Sequence, residues 1–386
     1  MVILKLGKVF LYTMNILNII LNILIFLIIL ALLVLVHELG HFLVAKKNGV
    51  RVDEFGLGFP PRIYGKKFGE TVYSLNAVPF GGFVKIFGEN AESLETPEGI
   101  VEDSSRSLAH KGKLIQSAVL VAGVSFNVIF AWLIISLGLV FGMPTAVDSQ
   151  NATGVTDARV VVTSVVPKSP AERAGLKAGD MLLSLKTATK TLEQNVSPET
   201  VHKFIAESSE PITISYKRGA KISEVNVGAE KGIVLGARAI GISMDMLGIL
   251  KLPAYRAFLE GGVRTAQLFK TVAVNIFYFL RDAFTGHADL TQVAGPIGMV
   301  ALVGEAHDLG LAYLIFFTAL LSINLAVINL IPFPALDGGR LVMVLIEAVK
   351  GSPLKPKLVS GLNTVGFALL IILMLAVSWH DVLGLV

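Results

Sequence analysis

The sequence predicts a polytopic α-helical membrane protein of about four transmembrane helices, with a membrane-associated β-hairpin and an inserted extracytoplasmic α+β domain. Three observations predict it. Mean hydropathy is +0.70, with 53% hydrophobic and only 16% charged residues, which is not the profile of a soluble globular chain. Four apolar runs approach or exceed the length that crosses a bilayer. They span about Ile16–Ala45, Leu114–Phe141, Leu311–Ile331 and Leu362–Val377. Between the second and third, about Asp148–Met246 is polar and long enough to form a soluble domain.

The basic residues orient these runs. Lys46, Lys47, Arg51, Arg62, Lys66 and Lys67 crowd behind the first run, and Lys111 and Lys113 precede the second. Arg340 and Lys350 follow the third, and Lys355 and Lys357 precede the fourth. One topology puts all these clusters on one side, which the positive-inside rule makes cytoplasmic. The N-terminus, the polar middle and the C-terminus then lie outside, with Lys5 and Lys8 as the minority against the rule. The pI of about 9.1 therefore reflects juxtamembrane charge and implies lipid, not nucleic acid, as the partner. The first run starts with basic residues, but its core is too long for a cleaved signal and no small-residue site follows it. With no cysteine, the chain forms no disulfide and has no thiolate for metal binding or catalysis.

The first run carries "HELGH". On a helix, His37 and His41 are four apart and project from one face, where they can grip a single ion. Glu38 sits beside them, where a water-activating base belongs. An ionised acid at a membrane-helix centre costs roughly 2.5–3.5 kcal/mol on insertion scales, so such residues are usually functional. Catalytic zinc commonly has three protein ligands. None of His110, His202, His287, His307 and His380 has a persuasive context, which leaves a carboxylate as the next candidate. "NLAVINLIPFPALDGGR", Asn324–Arg340, closes the third run with Asp337. Pro332 and Pro334 break the helix there, and Gly338 and Gly339 permit a tight turn that can aim the aspartate inwards. The topology puts Asp337 on the same side as both histidines.

This pairing of "HELGH" with "NLIPFPALDGGR" resembles the site-2 protease family of intramembrane zinc metalloproteases. It is most similar to the bacterial regulator-of-sigma-E type, which cleaves membrane-bound anti-sigma factors. The resemblance covers nearly the whole chain. It implies one Zn2+ per chain, with His37, His41 and Asp337 as ligands and Glu38 as the catalytic glutamate. It implies substrate-handling roles for Asn324, Pro332 and Pro334, with Asn329 in the same stretch. "FGLGFPPRIYG", Phe55–Gly65, resembles the family's glycine-rich loop after the first span. "YSLNAVPFGGFVKIFGE", Tyr73–Glu89, resembles its re-entrant β-hairpin, and apolar alternation around Pro79, Gly81 and Gly82 agrees. An exposed strand edge there could pair with an extended substrate, which would give Gly81 and Gly82 a place in substrate binding.

In the middle domain, "SPAERAGLKAGD" within Arg159–Leu185 resembles the PDZ domains of bacterial proteases, in one copy. A strand, a short helix entering at Ser169-Pro170 and a second strand are expected, then a helix capped by Ser197 and a pair of hairpin strands. Such a PDZ-like domain serves either as a size filter or as a peptide binder, and the filter is favoured. "GLGF" at Gly56–Phe59 copies a PDZ peptide-binding loop but lies on the wrong side and lacks the surrounding pattern. "NAT" at Asn151 and "NVS" at Asn195 match glycosylation acceptors and are given no weight. Pro253–Phe284 has apolar residues at helical spacing with interspersed charges, as in an amphipathic helix near the outer surface. The expected organisation is a membrane region over 1–147, the PDZ-like domain over 148–246, an amphipathic linker over 247–310 and a second membrane region over 311–386.

The expected activity is cleavage of a single-span membrane protein in a bacterial inner membrane, with the active site towards the cytoplasm. A first extracytoplasmic cut, an upstream site-1 protease or an adaptor would accompany it. Two readings compete: a PDZ-bearing membrane receptor or scaffold with a structural zinc site, and an integral zinc transporter. An intact Glu38 argues against the first, and the lack of an inverted repeat against the second.

Overall fold

The computed structural model describes residues 2–89, 104–147, 154–219, 221–234, 237–287 and 294–385. The chain divides into two compact units, 1–135 with 261–305 and 317–386, and 136–260 with 306–316.

The first helix, α1, runs from Val2 to Lys47 and closes on two lysines that suit its negative C-terminal end. Its leucines and isoleucines from Ile16 to Leu32 are largely exposed, whereas His37 and His41 are buried. After Gly49 the chain enters β1 (Val52–Phe68) and returns along β2 (Thr71–Ile86). The two long strands bend and pair twice. Residues 54–57 of β1 pair with 72–75 on one side and with 82–85 on the other, while 62–68 pair with 71–76. The result is a sheet of four segments in which 82–86 is an outer edge.

This differs from the expected loop and hairpin. Phe55–Gly65 is strand, and the arms of Tyr73–Glu89 pair with β1 instead of with each other. Glycine explains both. A side chain at Gly56 would collide with the Phe83 ring, and one at Gly58 with the Val78 carbonyl. These glycines therefore mark close strand passage, not an irregular loop. The sheet packs on α1 through Phe42, Phe55 and Val52, and on α2 (Lys113–Phe141) through Val119. Lys46 and Arg106 both bind Glu70 in the tight turn between the strands, at 2.5 and 2.7 Å. The Lys46 hydrogen bond, with Arg106 behind it, holds the Glu70 carboxyl below its ordinary value.

The second unit is α+β. Its strands are β3 (Met143–Ala146), β4 (Val155–Val165), β5 (Met181–Lys186), β6 (Thr191–Leu192), β7 (Ile212–Arg218) and β8 (Lys221–Val227). The strands β9 (Glu230–Val234), β10 (Ala237–Ala239) and β11 (Ile242–Leu250) follow. The main sheet has the order β3-β11-β4-β5-β7-β8, and β9 pairs with β10 apart from it. The helices α3 (Pro170–Arg173) and α4 (Pro198–Glu207) are the two expected from Ser169-Pro170 and Ser197. Ser197 accepts from Thr200 N while its own N–H is met by the Thr200 hydroxyl, a reciprocal cap. Val160, Val162, Leu182, Leu185, Val201 and Ile214 form the core. Asn195 lies just before α4 with a φ of 52°, and Asn151 lies outside the described residues.

Beyond the second unit's strands, α5 (Ala254–Phe284) is one helix, buried along Ala257, Thr265 and Val272. Next come α6 (Pro296–Leu309), α7 (Leu311–Leu330), α8 (Asp337–Lys350) and α9 (Pro356–Leu385). Asp381 of α9 accepts from Gly295 N and Gly298 N, satisfying amides that open α6. Among the described residues, four helices are long and apolar enough to cross a membrane: Ile16–Lys47, Lys113–Phe141, Leu311–Leu330 and Pro356–Leu383. Three match the expected runs within a few residues. The fourth begins and ends beyond the expected 362–377, because Pro356 starts the helix before the apolar stretch begins.

Asp180 is fully buried in the second unit and accepts from Lys177 N and from Arg218 at 2.6 and 2.7 Å. Asp180→Ala would strip Arg218 of its carboxylate and leave the Lys177 amide without its acceptor. We expect a loss of about 2–3 kcal/mol in that unit. Hydrogen exchange of β5 and β7 amides in the full chain measures it, and unchanged protection would refute it.

Candidate metal centre

His37 and His41 meet Asp337 inside the first unit. His37 Nε2 lies 2.9 Å and His41 Nε2 3.2 Å from Asp337 Oδ2, and the two Nε2 atoms are 3.2 Å apart. Four ligands held tetrahedrally about 2.0–2.1 Å from zinc lie about 3.3 Å from one another. The donor set is therefore already near the spacing the ion demands. Among the described residues it is the one such group of three. The imidazole Nδ1 of His41 donates to Val119 O at 2.7 Å, and a carbonyl can only accept. That bond puts the ring hydrogen on Nδ1 and leaves the Nε2 lone pair for a metal. The residues present fit the ion.

Each ligand is held by its local sequence. The i, i+4 spacing on α1 aligns the histidines. Gly123 of α2 gives them room, because a Cβ there would lie 2.4 Å from His41 Nε2 and 2.7 Å from His37 Cε1. After α7, the segment from Ile331 to Leu336 interrupts the helix, with Ala335 at a φ of 75°. A Cβ on Gly338 would lie 2.3 Å from Ile331 O, and one on Gly339 2.1 Å from Phe333 O. The two glycines let α8 fold back on its own approach, and Asp337 opens that helix facing the histidines. The side chain of Asp337 is largely shielded from solvent, and its Oδ2 is the oxygen turned to both Nε2 atoms.

A cavity of about 170 Å³ opens on this cluster, walled in part by Phe83, Val84, Glu89 and Arg340. That volume is ample for several water molecules beside the cluster. Glu38 faces it, and its carboxylate accepts a hydrogen bond from Val84 N–H on the outer edge of β2. Arg340, one turn after Asp337, forms an ion pair with Glu89 across the cavity wall.

The residues expected to handle substrate are less closely grouped. Asn324 donates to Leu320 O in its own helix, and neither it nor Asn329 lines the cavity. Pro332 is exposed, and Pro334 packs under Gly366 of α9, where a Cβ would lie 2.4 Å from Pro334 O. Gly81 lies against Phe59 and Val34, and Gly82 lies 3.8 Å, measured from a Cβ position, from Glu38 Cγ. Sequence reasoning missed Val119, Gly123 and Asn127 of α2. Asn127 is fully buried with Nδ2 3.3 Å from His37 Nδ1. The available signal was a lone asparagine in an apolar span with a glycine four residues before it.

Spanning-length helices around a His-His-Asp cluster, its histidines buried and its aspartate half-buried, with a glutamate on the same cavity, define a membrane metalloenzyme. The comparisons agree. The sequence profile of peptidase family M50 matches residues 25–373, and the chain belongs to this family, the site-2 protease zinc metalloproteases. A provisionally named zinc metalloprotease of Clostridium perfringens is 35% identical over 91% of this chain and 95% of its own. The regulator of sigma-W protease RasP of Bacillus subtilis is 28% identical over 91% of this chain and 95% of its own. The PDZ domain of the SdrC-like protein of Listeria monocytogenes is 26% identical, covering 23% of this chain and 90% of that one, with a TM-score of 0.20. The protein is an integral-membrane zinc metalloprotease.

Gly123→Val would force its side chain into both imidazoles. We expect the variant to lose stoichiometric zinc while its spanning helices remain, as read by metal analysis beside far-UV circular dichroism of the purified chain. Retention of one zinc per chain would show that the histidines do not need that space.

Proposed function

We propose that the chain cleaves single-span membrane proteins within the membrane, anti-sigma factors among them, after a first cut has removed the substrate's outer domain. The observation that carries this reading is the convergence of His37, His41 and Asp337 on one point beside Glu38, within a helix of spanning length. His37, His41 and Asp337 hold one Zn2+. When bound, the ion supplies a Lewis acid that acidifies water and polarises the scissile carbonyl. Glu38 takes the proton of the attacking water and returns it to the leaving amine. Val119 O keeps His41 in the tautomer that can ligate. Asp337 would complete the ligand set through Oδ2, the oxygen nearest both imidazoles.

The substrate must be extended to reach these groups, because a helical peptide bond is shielded by its own hydrogen bonds. The outer edge of β2 at 82–86 is the surface for it. Among the described residues no strand pairs with that edge, and it runs beside Glu38. An added strand there would take main-chain hydrogen bonds and bring its carbonyls to the cavity. The basic clusters favour a cytoplasmic active site and an outer PDZ-like unit, the latter serving as a size filter. The membrane is the bacterial inner membrane, and an upstream site-1 protease or an adaptor would be the protein partner.

The test uses the purified chain in detergent with zinc and a single-span substrate, with its outer domain present or removed. Glu38→Gln should bind zinc as wild type does and cleave about 10²–10⁴-fold more slowly, the usual contribution of a positioned base. Full activity of this variant would remove Glu38 from the reaction. Equal cleavage of trimmed and untrimmed substrate would remove the filter.

A further inference from the structure

The metal cluster contains an asymmetry between its two histidines. His41 is held through Nδ1 by a backbone carbonyl, which fixes its ring hydrogen. His37 has instead the side-chain amide of Asn127, fully buried, with Nδ2 3.3 Å from His37 Nδ1. In that orientation the amide donates, so Nδ1 is the bare nitrogen and the hydrogen sits on Nε2. It then points at Asp337 Oδ2, 2.9 Å away, and blocks the lone pair a metal needs. The same orientation leaves Asn127 Oδ1 buried with no hydrogen-bond partner. Buried polar side-chain atoms without partners are rare in folded proteins.

Rotating the amide by half a turn resolves both. Amide oxygen and nitrogen are nearly isosteric and are assigned from the network around them. With the two exchanged, Oδ1 faces Nδ1, the orphan carbonyl gains a donor, and the ring hydrogen moves to Nδ1. His37 Nε2 then presents its lone pair beside that of His41, as the zinc site requires. We propose that Asn127 is the positioning residue of this site, accepting from His37 Nδ1–H through Oδ1 and so fixing His37 as a neutral Nε2 ligand. This rests on the zinc-protease reading and adds to it a residue outside the ligand set.

The surroundings suit the role. Ser322 of α7, fully buried, donates to the Asn127 backbone carbonyl at 2.8 Å and fixes α2 at this level. Gly123, one turn earlier, leaves the space that both imidazoles occupy against α2. The two amide orientations correspond to two states: donor with His37 hydrogen-bonded to Asp337, and acceptor with both Nε2 lone pairs free.

The experiment measures zinc affinity of the full-length chain in detergent, by competition with a chromophoric chelator. The chains compared are wild type, Asn127→Leu, Asn127→Asp and Asp337→Ala. Asn127→Leu keeps the volume and removes the acceptor, and should weaken zinc binding roughly 10–100-fold, the range for loss of such outer partners. Asn127→Asp keeps an acceptor and loses the donor, and should bind at least as tightly as wild type. Wild-type affinity in Asn127→Leu would overturn the proposal, and so would Asn127→Asp binding as weakly as Asn127→Leu. Should Asn127→Leu fail to fold, the Asp variant decides alone, since a donor role predicts weakened binding there. If Asp337→Ala loses zinc while Asn127→Leu keeps it, only the role of Asn127 falls. If wild type binds none, the zinc reading falls and this proposal with it.

Discussion

Two imidazoles and a carboxylate among spanning helices must find partners in one another. Insertion scales put an ionised acid at a helix centre at roughly 2.5–3.5 kcal/mol, and an unpaired one in a packed interior costs more. The contacts of His37 and His41 with Asp337 Oδ2, at 2.9 and 3.2 Å, join residues 300 and 296 positions apart in the chain. Much of the first unit can be understood as what lets them meet. Gly123 admits the imidazoles to α2, Gly338 and Gly339 fold α8 back onto its approach, and Gly366 seats α9 on Pro334. Helices that lack a hydrophobic drive to associate rely on such small residues for close packing. Here the small residues lie around the polar cluster.

The parts of this arrangement legible in the sequence were those with a local period. Spanning length and apolarity are properties of a window, so the four helices were visible, with error mainly at the two ends of α9, which begins before and runs on past its apolar stretch. The facing of His37 and His41 follows from a spacing of four. Asp337 was reachable only through its setting of prolines and glycines. What the sequence concealed is pairing at a distance. Alternation shows that Tyr73–Glu89 is extended but not that its arms flank β1, since strand partners leave no mark in either strand alone. The density of glycine and proline in Phe55–Gly65 reads as loop for the same reason. The space freed at Gly56 is filled by Phe83, and its position there is a tertiary fact. Asn127 is a sharper case, because the atom it serves lies 90 positions earlier and no periodicity connects them.

The middle unit shows a different balance. Its helix starts were legible because Ser169 and Ser197 cap locally, each accepting from a backbone amide three residues on. Its strand order was not, because β11 inserts between β3 and β4 although they are distant from it in sequence. Asp180 binds the start of β5 to the end of β7 through Arg218, a long-range pair with no local signature.

The edge of β2 is where the fold and the chemistry share an atom. An outward N–H on an edge strand beside a spanning helix is costly if left unpaired. Val84 N–H is met by the Glu38 carboxylate, so the residue proposed as base also satisfies the strand edge. At the end of the same strand, Glu89 is neutralised by Arg340 of the helix that Asp337 opens. Each strand-side polar group near the cavity is thus tied to an element carrying a ligand or the base. A peptide pairing with this edge would offer Val84 a backbone carbonyl in place of Glu38. The carboxylate would then be freed of that bond at the moment a scissile carbonyl arrives beside it. On the proposed reading, peptide binding and release of the base would be one exchange of hydrogen bonds, because the strand edge and Glu38 share a single N–H.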